Sequence, residues 1–222
     1  MDWVALGLSF RLGVLTVLIL LPVGVACGRL LAYRDFPGKG LAEAAVALPL
    51  VLPPTVLGYY LLVAFGAASP LGQAWQALFG QPLVFSFEGL LIASLIFNLP
   101  FAIQPMQRAF EAIPREIREA ALCCGMTPRR VLQKIELPLA WPGILTGLVL
   151  SFAHTIGEFG IVLMVGGSIP GETRTIAISI YDRVQAFDEA AAGRMSALLL
   201  TLSLATIALT FAFSRRIGRR FG

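Results

Sequence analysis

Residues 44–87 read AAVALPLVLPPTVLGYYLLVAFGAASPLGQAWQALFGQPLVFSF, 44 consecutive positions without Asp, Glu, Lys, Arg or His. A soluble fold has no place for such a stretch, because its apolar surface would outrun what a water-facing domain can cover. It is also too long for one membrane helix, which needs about 20 residues at about 1.5 Å each. The breaker-rich segment Gly66-Ala-Ala-Ser-Pro-Leu-Gly72 divides it near the expected end of a span. Beyond it, 73–87 holds three glutamines, Gly80 and Pro82, and reads as an interfacial or loop segment rather than another crossing.

Outward from this stretch, uncharged runs recur at 12–28, 89–107, 137–157 and 195–214. The whole chain of 222 residues is 57% hydrophobic and 14% charged, with a mean hydropathy of +0.81, whereas soluble domains average about 25% charged residues. Disorder and a water-soluble enzyme are both excluded on that balance. The expectation is an all-α integral membrane protein, one transmembrane domain over 1–222, with about five helices at 8–33, 43–66, 88–109, 138–165 and 194–214, or six if 73–87 also crosses. Cys27, Cys123 and Cys124 have no metal or redox spacing and read as reduced thiols. The first ten residues lack a basic region and no small-x-small site follows, so the first apolar segment is expected to stay in the mature chain.

Basic residues set the direction. Arg29, Arg34 and Lys39 follow the first span, six more lie between Arg108 and Lys134, and Arg215, Arg216, Arg219 and Arg220 close the chain, together 13 of 17. By the positive-inside rule these segments are cytoplasmic, which puts the N-terminus outside and the C-terminus inside if there are five spans. Arg174, Arg183 and Arg194 run against the rule. Near them Ile176, Ile180, Val184 and Phe187 recur at helical spacing, which predicts an amphipathic helix on the outer face.

The segment 113–138, IPREIREAALCCGMTPRRVLQKIELP, carries helix punctuation: Pro114 for a first turn, Gly125 for a stop, Thr127 for an N-cap and Pro128 for the next first turn. Two short helices with a tight turn are predicted, the first with a stripe of Ile117, Ala120, Ala121 and Cys124. A solvated basic cytoplasmic loop fits this pattern. A DNA-binding helix-turn-helix does not, because membrane spans flank it where a soluble core would be needed.

Glu119-Ala120-Ala121, Gly125, Ile135 and Leu137-Pro138 resemble the cytoplasmic EAA loop of ATP-binding-cassette importer permeases. Phe36-Pro-Gly-Lys39 with Leu48-Pro-Leu-Val-Leu-Pro-Pro-Thr-Val-Leu-Gly58, and Gly157-Glu-Phe-Gly160 with Ile169-Pro-Gly-Glu-Thr-Arg-Thr175, are similar to the molybdate permease family over nearly the whole chain. The sulfate and thiosulfate permeases are near relatives, and Cys123-Cys124 departs from the small or other apolar residues usual there. The resemblance implies a type I importer bundle in a bacterial inner membrane. It implies a homodimer with the path on its axis, two cytoplasmic ATPase subunits and an external molybdate-binding protein. It makes Glu119, Ala120, Ala121, Gly125 and Pro138 the ATPase-coupling residues, and it implies no cofactor, metal or nucleic acid. A membrane-anchored scaffold that docks a cytosolic partner without transport is the alternative from a different class.

No G-x-x-x-x-G-K-[ST] phosphate loop occurs, so any ATP hydrolysis by that route needs another subunit. Within the fourth span Ser151, His154, Thr155 and Glu158 fall at i, i+3, i+4 and i+7 and are expected on one helix face. That face is either a polar seam against another helix or part of a solute path. Ser151 and Thr155 are the candidate transient contacts for an oxyanion, Glu158 is expected to pair with a donor, and Gly157 and Gly160 form a candidate gate. Pro49, Pro53 and Pro54 are expected to interrupt span two, and Asn98, Pro100, Gln104 and Pro105 span three.

Overall fold

The computed structural model describes the backbone of residues 1–221 and the side chains of residues 1–206 and 208. Every regular element among the described residues is helical: α1 (Trp3–Tyr33), α2 (Lys39–Val51), α3 (Pro54–Phe65), α4 (Pro70–Phe79), α5 (Phe87–Glu111), α6 (Arg115–Cys123), α7 (Pro128–Val131), a π turn (Leu132–Glu136), α8 (Leu137–Gly157), α9 (Gly160–Gly166), α10 (Ile176–Gln185) and α11 (Glu189–Phe221).

Among the described residues, three helices are long and apolar enough to cross a membrane, at 3–33, 87–111 and 128–157. Helix α5 packs against both α1 and α8 and is buried from end to end, through Leu90, Phe97, Ile103, Met106 and Phe110. Lipid offers no hydrophobic drive for helix association, so close packing must supply it. A Cβ on Gly28 of α1 would lie 2.9 Å from the backbone nitrogen of Gln107, and one on Gly147 of α8 would lie 2.9 Å from the carbonyl oxygen of Ala102. Glycine at these two positions lets both flanking helices reach the backbone of α5.

Three expectations change and one is met. The segment 43–66 is not one straight span: α2 and α3 meet at a 109° bend, and at about 1.5 Å per residue each is too short alone for a hydrocarbon core about 30 Å thick. Leu52 and Pro53 are both extended there, as the residues preceding Pro53 and Pro54 must be. The segment 138–165 stops being helical at Glu158 and restarts at Gly160. Pro100 and Pro105, in contrast, do not interrupt α5, which runs unbroken because α1 and α8 hold it on both sides. Finally, 73–87 is no crossing: α4 has ten residues, is capped by Ser69 and ends at left-handed Gly80.

The expected amphipathic helix exists as α10, with a different buried face. Ile176, Ile178 and Ser179 are buried, whereas Val184 is exposed and Phe187 lies beyond the helix end with φ 56°, 90% exposed. Asp2 anchors this helix to the start of the chain. Its carboxylate accepts the N–H of Ala5 and the hydroxyl of Ser179, both at 2.9 Å. The expected span 194–214 lies partly, and Arg215, Arg216, Arg219 and Arg220 wholly, outside the residues whose side chains are described.

Candidate functional site

Two polar regions stand out, the hairpin at the foot of α8 and a seam midway along the long helices. In the hairpin, α6 ends in a Schellman turn. Gly125 adopts φ +80°, its N–H bonds the carbonyl of Leu122, and the N–H of Met126 bonds that of Ala121. Thr127 then caps α7. Pro114 is the cap residue of α6 rather than its first turn. The second helix is not short as expected: α7, the π turn and α8 form one element of 30 residues.

The predicted stripe on α6 is mostly unpartnered. Ala121 is buried, but Ile117 and Leu122 are 42% and 46% exposed, and Ala120, Cys123 and Cys124 are exposed as well. Glu119 is exposed and paired only within its own helix, to Arg115 at 2.7 Å. The hairpin thus offers an apolar and acidic face outward.

Its inner side is fixed by a residue that the sequence reading passed over. Glu136 is completely buried and receives two guanidinium groups: Arg29 Nε at 2.5 Å and Nη2 at 3.3 Å, and Arg118 Nε at 2.9 Å. Arg118 also stacks over Tyr33, 3.5 Å from the ring centroid, while the Tyr33 hydroxyl donates to the carbonyl of Phe110 at 3.0 Å. One carboxylate thereby ties α1, α6 and the base of α8 together. Pro138, half-buried two residues later, cannot donate to the chain behind it, and the N–H of Leu137 reaches back five residues to Leu132. The wider π turn accommodates that proline. The available signal was a lone Glu between Ile135 and Leu137-Pro138, a charge with apolar neighbours at the end of a span.

In the seam midway along the long helices, Asn98 of α5 donates to Thr155 Oγ1 at 2.8 Å and to the Ser94 carbonyl at 2.9 Å. Ser94 meets Thr16 of α1 at 2.8 Å and Thr155 at 3.4 Å, and Thr155 donates to the Ser151 carbonyl at 2.7 Å. With its amide nitrogen so committed, Asn98 presents its Oδ1 to His154 Nδ1 at 3.2 Å, which sets that nitrogen as the protonated one. His154 Nε2 faces Glu158 at 3.7 Å, and its ring packs on Phe101 at 4.2 Å between centroids. Ser151 and Thr155 are buried between helices. The Thr155 hydroxyl belongs to the seam, the Ser151 hydroxyl is buried beside it with no hydrogen-bond partner among the described residues, and His154, with a third of its side chain exposed, forms the accessible edge.

Glu158 is not on the same helix as the rest of the stripe. It is extended at the end of α8 and its Oε1 accepts the N–H of Ile161 at 2.9 Å, so it caps α9 from within the protein. At this corner a Cβ on Gly160 would lie 3.0 Å from Pro54 Cβ, and one on Gly58 would lie 3.0 Å from Met164 Cβ. The break in span two and the break in span four are seated on each other. Gly157 is exposed, with nothing within 4 Å of a Cβ there. The two motif blocks at 48–58 and 157–160, distant in sequence, are thus one site in space.

Residues 21–221 match the family model described as the binding-protein-dependent transport system inner membrane component. Among curated relatives, the molybdenum transport system permease protein ModB of Azotobacter vinelandii is 48% identical over 191 residues, covering 86% of this chain and 84% of the relative. The sulfate transport system permease protein CysT of Escherichia coli K12 is 32% identical over 197 residues, covering 89% and 71%. Among solved structures, a bacterial ABC transporter involved in the import of the acidic polysaccharide alginate superposes with a TM-score of 0.78 at 16% identity, covering 96% of this chain and 79% of that one. That likeness concerns the fold.

Proposed function

The chain belongs to the family of binding-protein-dependent transport inner membrane components, and from that membership we propose that it is the membrane permease of an ATP-driven molybdate importer. The observation that carries the substrate is the identity with the molybdenum permease of Azotobacter vinelandii. The anion is handed over by a binding protein on the side of α4 and α10, and it leaves on the side of the hairpin. Two copies of the chain enclose the path, because so few spans enclose no aqueous route alone.

In this reading the exposed face of α6 docks into a separate ATPase subunit, with Glu119, Ala120 and Leu122 at the contact. Glu136 then passes the displacement of α6 to α1 and α8, since neither helix can move without breaking an ion pair. Pro138 and Gly125 set the geometry at the two ends of the hairpin. Farther along α8, the seam through Asn98 and Thr155 keeps the long helices in register, and the paired corners at Pro54 and Gly160 are where helix direction can change. His154 is the polar group a passing oxyanion meets. Glu158 is turned inward onto the Ile161 N–H, which limits its repulsion of an anion. Such sparse contact suits passage, because tight binding would trap the anion.

Sulfate is the second reading, favoured by the likeness to the sulfate permease. Radiolabelled molybdate uptake in cells with and without this chain, with sulfate as competitor, separates the two. Uptake that requires the chain and resists excess sulfate is expected; sulfate uptake with indifference to molybdate would overturn the proposal.

A further inference from the structure

We propose that the groove between α1 and the foot of α8 binds an acidic phospholipid, with its phosphate on Arg29, Arg34 and Arg118 and an acyl chain along the outer face of α1. The groove has a volume of about 640 Å³, with α1 forming one wall and Arg118, Pro128 and Leu132 the other. Two rows at i, i+4 spacing run along α1 into it, one of Pro22, Ala26, Leu30 and Arg34 and one of Val25, Arg29 and Tyr33. Each row starts apolar and ends in cationic or aromatic residues. Over about 18 Å of helix the wall therefore changes from one that matches hydrocarbon to one that matches an anion.

The charge balance selects the headgroup. Three arginines line the groove, and Glu136, the carboxylate that Arg29 and Arg118 contact, takes only Nε and Nη2 of Arg29 and Nε of Arg118. A guanidinium has five N–H donors, so most of both forks is not committed to Glu136. The two side chains remain 34% and 24% exposed, and Arg34 is exposed too. Asp35 is 3.4 Å from Lys39 and is directed to that charge. A net positive charge is left at the end of an apolar slot. A free oxyanion would satisfy the arginines and leave Pro22, Ala26 and Leu30 bare, while a zwitterionic lipid brings its own cation. An acidic phospholipid answers both walls, and basic pockets between helices at the cytoplasmic face are where such lipids are held.

The test is native mass spectrometry of the intact complex released from nanodiscs holding equal phosphatidylglycerol and phosphatidylcholine, a readout that does not depend on the transported substrate. The wild type is compared with Ala26→Trp, which fills the slot, and Arg34→Gln, which withdraws a charge without touching Glu136. Wild type is expected to retain phosphatidylglycerol over phosphatidylcholine, Arg34→Gln to weaken that preference about fivefold, and Ala26→Trp to abolish it. Should Ala26→Trp fail to assemble, Arg34→Gln at its exposed position carries the test alone. Equal retention of the two lipids, or unchanged preference in Arg34→Gln, overturns the proposal, as it would if a second copy or an ATPase covered the groove. Displacement of the lipid by millimolar inorganic phosphate would also overturn it, marking a site for soluble oxyanions.

Discussion

Glu136 is fully buried, and its charge is balanced by two arginines that come from other helices. Removing one member of a buried pair leaves the rest uncompensated, at a cost of about 3–5 kcal/mol. Glu136→Gln is therefore expected to lower the thermal midpoint of the detergent-solubilised protein clearly, and to lower uptake per ATP hydrolysed in whatever protein survives. A charge-reversed pair, Glu136→Arg with Arg118→Glu, should recover part of both. Glu119 behaves differently, because it is exposed and bonded only to Arg115. Glu119→Lys should leave the stability within about 0.5 kcal/mol of wild type and uncouple hydrolysis from uptake; normal uptake would remove Glu119 from the coupling contact. Asp2 provides a pH effect. Burial pushes its carboxyl up, but the Ala5 N–H, the Ser179 hydroxyl and the nearby Arg174 and Arg183 outweigh that and hold it below the usual value. A carboxyl lowered by folding adds stability above its unfolded value of about 3.9 and loses it as pH falls through the folded value. The advantage of wild type over Asp2→Asn in thermal melts should accordingly shrink between neutral pH and about pH 3.

At the scale of elements, the turn after α6 is the most local feature and was the most legible. Gly125, Thr127 and Pro128 each specify a backbone state without help from distant residues, and all three occupy the predicted position. Gly125→Ala forces a side chain into φ +80° and should destabilise by about 1–2 kcal/mol, read as a lower melting midpoint together with reduced uptake. Long apolar helices were legible for the same reason, since composition alone requires them. The prolines were legible only in part, since span two breaks at Pro53-Pro54 as expected but span three does not break at its prolines. Pro53-Pro54 turns the chain by 109°, whereas Pro100 and Pro105 sit inside an unbroken helix. The difference lies in the neighbours: α1 and α8 clamp α5 on both sides, and a sequence does not display them. Glu158 was misplaced on the stripe because spacing assumes that the helix continues, and the helix ends one residue earlier.

For the whole molecule, which helix touches which was the part that sequence could not supply. Asn98 looked like an interruption of span three and is instead the hub that joins Ser94, Thr155 and His154. Polar residues within a membrane find one another across helices, and only the packing says which. The contact between the two corners has a mechanical consequence. With Pro54 against Gly160 and Gly58 against Met164, α3 and α9 form a single slab that cannot shear internally, while α2 and α8 leave that slab through Leu52-Pro53 and Glu158-Phe159. Those four residues are the non-helical joints at this corner, and any movement of the slab relative to α2 and α8 is expected to turn there. Amide exchange of α3 and α9 should then rise and fall together through the transport cycle, out of step with α2 and α8.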